Sequence, residues 1–102
     1  MKFIELPLFT KTSTKIHLQD SELEVLKSEL EENPTKGDLI QGSGGLRKIR
    51  VASRGKGKSG GSRVIYYLRT KDEIIFIMAY SKSKADNLTA EQVKILRKII
   101  KG

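Results

Sequence analysis

In the first third of the chain the apolar positions recur at helical spacing. Leu23, Leu26 and Leu30 stand at i, i+3 and i+7, one stripe of a helix over residues 20–33. Ser21 with Glu24 three residues on predicts its capping box. Asn33-Pro34 predicts its end, because the residue before proline is pushed out of the helical region. Val93, Leu96, Ile99 and Ile100 give a second helix, near the C-terminus, its core face. Thr89 and Gln92 form its capping box, while Lys94, Arg97, Lys98 and Lys101 stay in water. Between the two the rhythm changes to period two. Over residues 46–52, Leu46, Lys48 and Arg50 alternate with Arg47, Ile49 and Val51, a strand with two different faces. Residues 63–68 and 74–80 are apolar on both faces, as inner strands are, and Lys71-Asp72-Glu73 is the turn between them. Residues 2–6 read as an edge strand closed off by Pro7, which cannot donate to a ladder. Residues 10–18 are polar and support at most a short helix, and residues 34–45 form a loop with several glycines. The outline is α+β: a small antiparallel sheet covered on one side by helices, in a single domain over residues 1–102.

Charge sharpens this picture. Residues 39–71 hold nine Lys or Arg and no Asp or Glu, whereas residues 1–38 sum to −3 and residues 72–102 to +2. A cationic centre between nearly balanced flanks predicts a polyanion-binding surface, nucleic acid first. A solvated basic hairpin is the plain alternative, although such surfaces usually mix both signs. The five glutamates of the first helix, Glu22, Glu24, Glu29, Glu31 and Glu32, read as a solvated face. With no Cys and one His, the chain has no disulfide framework, thiolate metal site or His–His acid/base pair. His17 has no acid partner at a telling spacing and reads as a surface or core-edge residue. No metal or other cofactor is expected. Neither a signal peptide nor an apolar run of membrane-spanning length is present, so a cytoplasmic protein is expected.

Two glycine motifs are misleading. Gly55, Gly57 and Gly60 fit G-x-G-x-x-G, but that fingerprint opens a helix and this one returns into a strand. Gly57-Lys58-Ser59 resembles the end of a phosphate-binding loop, yet Ala52 stands where the first glycine is needed. Lys48 and Arg50 are the better constellation, pointing the same way roughly 6.6 Å apart along a strand. Arg63 opens the next strand, and Tyr80 and Lys82 end the third; pairing in sequence order would bring all five to one surface. Such a group binds phosphates and stabilises developing negative charge. It lacks the usual hydrolytic triads, but RNA carries its own nucleophile, the 2′-OH. Plain nucleic-acid binding and RNA cleavage both remain open on these grounds.

The residues also carry a resemblance. QGSGGLRKIRVASRGKGKSGGSRVIYY over residues 41–67 closely resembles the hallmark of HigB toxins in the RelE/ParE superfamily. Asn33-Pro34 with Gly37-Asp38-Leu39-Ile40, then Ala79-Tyr80-Ser81-Lys82-Ser83, then Asp86-Asn87-Leu88-Thr89 are similar to the same pattern, so it covers nearly the whole chain. The resemblance implies a RelE-like fold and the toxin of a type II toxin–antitoxin system. Its activity would be that of a metal-independent endoribonuclease cutting mRNA in the ribosomal A site by 2′-OH attack. The implied partners are a HigA-type antitoxin, the ribosome with its RNA, and mRNA, with operator DNA reached only through the antitoxin and no membrane involved. Lys48, Arg50, Arg63, Tyr80 and Lys82 would surround the scissile phosphate. Lys48 or Lys82 would accept a proton, Arg50 and Arg63 would clamp the phosphate, and Tyr80 would stack on or orient a base. Arg47, Arg54, Lys56, Lys58 and Lys84 would contact mRNA or ribosomal RNA. The sequence departs from the family pattern near the last helix. Leu88, Thr89 and Ala90 stand where some relatives have a tyrosine or histidine, and Ser83 where an arginine is common.

Two other functions compete. A ParE-like inhibitor of DNA gyrase would use the same fold, but the basic hairpin favours a polyanion. A non-catalytic RNA-binding module would expose an aromatic platform, and six aromatics leave little to spare for one.

Overall fold

A computed structural model describes residues 1–51, 61–82 and 88–101. The elements follow in the order β1 (Lys2–Glu5), α1 (Pro7–Lys15), α2 (Asp20–Glu32), β2 (Asp38–Leu39), β3 (Leu46–Val51), β4 (Ser62–Thr70), β5 (Glu73–Ser81) and α3 (Ala90–Lys101). They build an α+β fold on a sheet of order β1-β5-β4-β3-β2. The expected antiparallel ladder holds for β2 through β5, but β1 joins β5 in parallel. Helices α1 and α2 lie between those two strands in sequence and supply the crossover that a parallel pair requires.

Local chemistry explains the helix ends, not always as the sequence suggested. Pro7 starts α1 at a first-turn position, where a missing N–H costs nothing. His17, just past the end of α1, has φ 58° and donates its N–H to Thr14 O at 3.0 Å, a left-handed helix terminus. The capping box of α2 falls two residues earlier than expected: Gln19 N–H donates to Glu22 Oε1 at 2.8 Å. Glu22 is therefore buried instead of lying on a solvated face. The box at α3 forms as read, with Thr89 N–H on Gln92 Oε1 at 2.9 Å and Gln92 N–H on Thr89 Oγ1 at 3.1 Å.

Helices cover both faces of the sheet, where one covered face was expected. Phe9 from α1 and Leu26 and Leu30 from α2 pack with Ile49, Val51, Val64, Tyr66, Ile74, Phe76 and Ala79. Leu96 from α3 packs on the other side with Leu46, Ile65, Ile77 and Tyr80. Strands apolar on both faces need this two-sided cover. The stripe of α3 is narrower than its sequence implies: Leu96 is buried, Val93 and Ile100 are half-buried, and Ile95 and Ile99 are exposed.

One irregularity decides which way the end of β5 faces. Ile65 pairs with Met78 while the next residue, Tyr66, pairs with Phe76, so Ile77 is an extra residue in β5. Strict alternation from Ile74 and Phe76 would send Tyr80 to the α1/α2 side. The bulge turns it over to the α3 side. Beyond the bulge, Ala79 N–H donates to Thr12 Oγ1 of α1 at 2.9 Å. That bond satisfies a strand edge which β1 is too short to reach.

Tyr66 locks the far end of the sheet. Its phenol lies in the α1/α2 core, donates to Pro34 O at 2.8 Å and accepts from Gly37 N–H at 2.9 Å. A β-carbon on Gly37 would fall 2.7 Å from Tyr66 Cε1 and 2.9 Å from the Lys48 carbonyl oxygen, so glycine is required there. Tyr66→Phe should therefore lower stability by about 1–3 kcal/mol in urea denaturation, because it strands a buried N–H and a half-buried C=O. Gly37→Ala should cost a similar amount, about 1–3 kcal/mol, through overpacking.

Desolvation by burial raises the Tyr66 pKa above the ordinary phenol value, against the lowering effect of the Gly37 hydrogen bond and of Arg47. The folded state thus holds this proton more tightly than the unfolded chain. Its contribution is complete below about pH 10 and is lost as pH rises through the folded value. Stability measured from pH 9 upward should fall in the parent protein, and Tyr66→Phe should remove part of that slope.

Candidate functional site

The cross-strand register assembles the cationic residues that the sequence singles out. Arg50 pairs with Arg63 across β3 and β4, and Arg63 pairs with Tyr80 across β4 and β5. Directly opposite residues share a face, so these three form a row across the sheet on its α3 side. Lys48 lies one row away, opposite Ile65. Lys82 lies in the row on the other side, its N–H donating to Gly61 O at 3.0 Å. Three rows on three strands span a patch of about 10 by 13 Å. Lys48, Arg50, Arg63, Tyr80 and Lys82 all belong to it.

The centre of the patch is electrostatically unusual. Opposed like charges destabilise a sheet, yet here two guanidinium groups converge. A methyl group placed on Gly61 would stand 3.5 Å from Arg50 Nε and 3.8 Å from Arg63 Nη1. Arg63 Nη1 is shielded from solvent and has no acceptor among the described residues. A buried charged donor left unmade is costly, and an anionic oxygen entering beside Gly61 would satisfy it. Gly61 was missed as a site residue because it reads as one more loop glycine. The available signal was its position two residues before Arg63, which puts it on the same face.

Other predicted residues behave differently. Arg47 projects to the opposite side of β3, where its Nη1 donates to Gly37 O at 2.8 Å and Thr35 O at 3.2 Å. It fastens the loop after α2 and does not join the patch. Tyr80 is nine-tenths buried beside Leu46, Ile65, Ile77 and Leu96. Its burial leaves only a small part of the side chain open to a ligand. Arg54, Lys56, Lys58 and Lys84 lie outside the described residues. The patch is not uniformly cationic at its margin. Asp38 of β2 stands opposite Lys48, and both line a hollow of about 340 Å³ with Glu29, Lys36 and Arg50. Among the described residues no three His, Cys, Asp or Glu come together as metal ligands would, and no helix is long and apolar enough to cross a membrane.

The α+β fold thus sets two arginines against each other on one sheet face, one of them with a buried nitrogen that has no acceptor among the described residues. A family model described as the RelE toxin of the RelE / RelB toxin-antitoxin system matches residues 1–102. The chain belongs to that family, whose members are generally translation-inhibiting endoribonucleases and have an antitoxin partner.

Filling the gap between the arginines should block anion entry without unfolding the sheet. In Gly61→Leu, phosphate titration followed on the Arg side-chain Nε–H NMR signals should show affinity reduced at least tenfold. The denaturation midpoint should stay close to that of the parent.

Proposed function

We propose that this toxin is a ribosome-dependent endoribonuclease that cuts mRNA in the A site and is neutralised by a HigA-type antitoxin. The observation that carries this reading is the opposed pair Arg50–Arg63 with its unsatisfied Nη1. A scissile phosphate seated there would receive charge-assisted hydrogen bonds from both sides, and these strengthen as the pentacoordinate transition state gains charge. The reaction needs no external nucleophile. One of Lys48 and Lys82, in its amine form, takes the proton of the neighbouring 2′-OH. The resulting oxygen bonds to phosphorus, the bond from phosphorus to the 5′-oxygen breaks, and that oxygen leaves with a proton from an ammonium group or water. The products are a 2′,3′-cyclic phosphate and a 5′-OH. Tyr80, packed in the same row as Arg63, would orient the guanidinium and bring its phenol edge to the substrate. Arg54, Lys56, Lys58 and Lys84, which lie outside the described residues, would add salt-dependent contacts to RNA backbone, whereas the carbonyl contacts of Arg47 favour a structural role.

Arg63→Ala is the decisive variant. Its loss should leave the fold intact and reduce cleavage by about 10²–10³-fold, the scale of removing one oxyanion donor. Primer-extension mapping of mRNA ends after brief induction should show cuts within translated codons for the parent and none for the variant. Full toxicity in Arg63→Ala would remove the patch from the mechanism. Growth arrest with intact transcripts and stalled gyrase–DNA complexes would instead identify a ParE-like inhibitor.

A further inference from the structure

Helix α1 holds β5 at two points, one on each side of the extra residue Ile77. Before the bulge, the rings of Phe9 and Phe76 stack with centroids 5.2 Å apart. After it, Ala79 N–H donates to Thr12 Oγ1 at 2.9 Å. Phe9 and Thr12 stand at i and i+3, on one face of α1. The β1 ladder stops short of this point: it ends at the pair Glu5–Phe76, followed by Leu6 N–H on Phe76 O at 3.1 Å.

The Thr12 hydroxyl is fixed in its orientation. Its one proton goes to Leu8 O at 2.7 Å, with Phe9 O a weaker second acceptor at 3.3 Å. The lone pairs of the oxygen are therefore left for Ala79. Ala79 is buried, so its N–H would be a costly unmade donor without Thr12. It packs in the same cluster as Phe9, and its methyl group leaves α1 room to come this close.

What the bond controls lies one residue further on. Without the extra residue, Met78 and Tyr80 would follow Phe76 onto the α1/α2 side. Such a slip would carry Tyr80 away from Arg63, its partner across β4. It would also withdraw the Ala79 N–H from Thr12, so the hydroxyl opposes it.

We propose that Thr12 is a positioning residue for RNA cleavage: its hydroxyl pins the bulged register of β5 and so keeps Tyr80 in the arginine row. The inference rests on the RNA-cleaving reading above and adds to it a control point on the opposite face of the sheet. Thr12 touches no substrate. It acts through the Ala79 backbone on Tyr80, and through Tyr80 on the Arg63 guanidinium.

The test uses the full chain with ribosomes translating a defined mRNA. Thr12→Val keeps the shape of the side chain and removes the acceptor. Its kcat should fall about tenfold or more, as misplacement of an active-site group does, with KM within about twofold. Thr12→Ser keeps the hydroxyl and should hold kcat within about twofold of the parent. In NMR spectra of the free protein, cross-peaks between the Tyr80 ring and the Leu96 methyl groups should weaken in Thr12→Val and persist in Thr12→Ser. Tyr66→Phe, which loses its hydrogen bonds at the far end of the sheet, separates positioning from stability: below its denaturation midpoint it should keep the parent kcat. A Thr12→Val protein with the parent's kcat and intact Tyr80–Leu96 cross-peaks would overturn the proposal. So would equal losses of kcat in Thr12→Val, Thr12→Ser and Tyr66→Phe, which would leave Thr12 a contributor to stability alone. The two readings fail separately. A parent that cuts no mRNA, with the cross-peaks still lost in Thr12→Val, loses the cleavage reading and keeps the positioning. A parent that cuts, beside a Thr12→Val protein that cuts as fast with Tyr80 unmoved, loses the positioning alone.

Discussion

Two arginines facing each other across a hydrogen-bonded ladder are the constraint to which the rest of this structure answers. Arg50 and Arg63 occupy directly paired positions, close enough that both would touch a single methyl group on Gly61. Repulsion between like charges at such positions works against the sheet, and the burial of Arg63 Nη1 without an acceptor among the described residues adds to the cost. The proposed phosphate in the gap would cancel the repulsion and satisfy the donor together. This connects a toxin family that acts on RNA with the particular geometry of this chain.

The remaining elements hold that strained row in place. Tyr66 and Gly37 lock β4 to the loop entering β2. Arg47, from the reverse face of the same strand as Arg50, grips that loop through two carbonyl oxygens. On the other flank, Thr12 of α1 caps the backbone of β5 one residue before Tyr80. Two-sided cover by α1 and α2 below and α3 above keeps β4 and β5 from slipping, since a one-residue slip would carry every apolar residue to the wrong side. The functional face can then afford its unfavourable electrostatics because the opposite face is a conventional apolar core.

Some of this was legible in the chain and some was not. Leu26 and Leu30 announced the core face of α2, and Thr89 with Gln92 announced the start of α3, because helix spacing and capping are local. The alternation of Lys48 and Arg50 with Ile49 and Val51 correctly gave the two faces of β3. The two-residue strand β2 was hidden in a glycine-containing loop, since so short a segment has no period to detect. Glu22 appeared to be a surface glutamate and instead caps its own helix, because the box starts at Gln19, a weaker N-cap than the serine that suggested another register. Arg47 appeared to be an RNA contact, and only the tertiary fold supplies the carbonyl oxygens that occupy it.

The sequence by itself determined the ingredients: a central third carrying nine cations and no acids, apolar periods for the flanking helices, and strands apolar enough to be inner ones. These follow from residue type and spacing, which a linear pattern contains in full. Tertiary structure alone decided where the cations meet. The extra residue at Ile77 reverses the facing of Tyr80, the β3–β4 register sets Arg50 against Arg63, and Gly61 leaves the space between them. Register and bulges arise from the competition of whole strands for partners and cover, so no single stretch of chain encodes them.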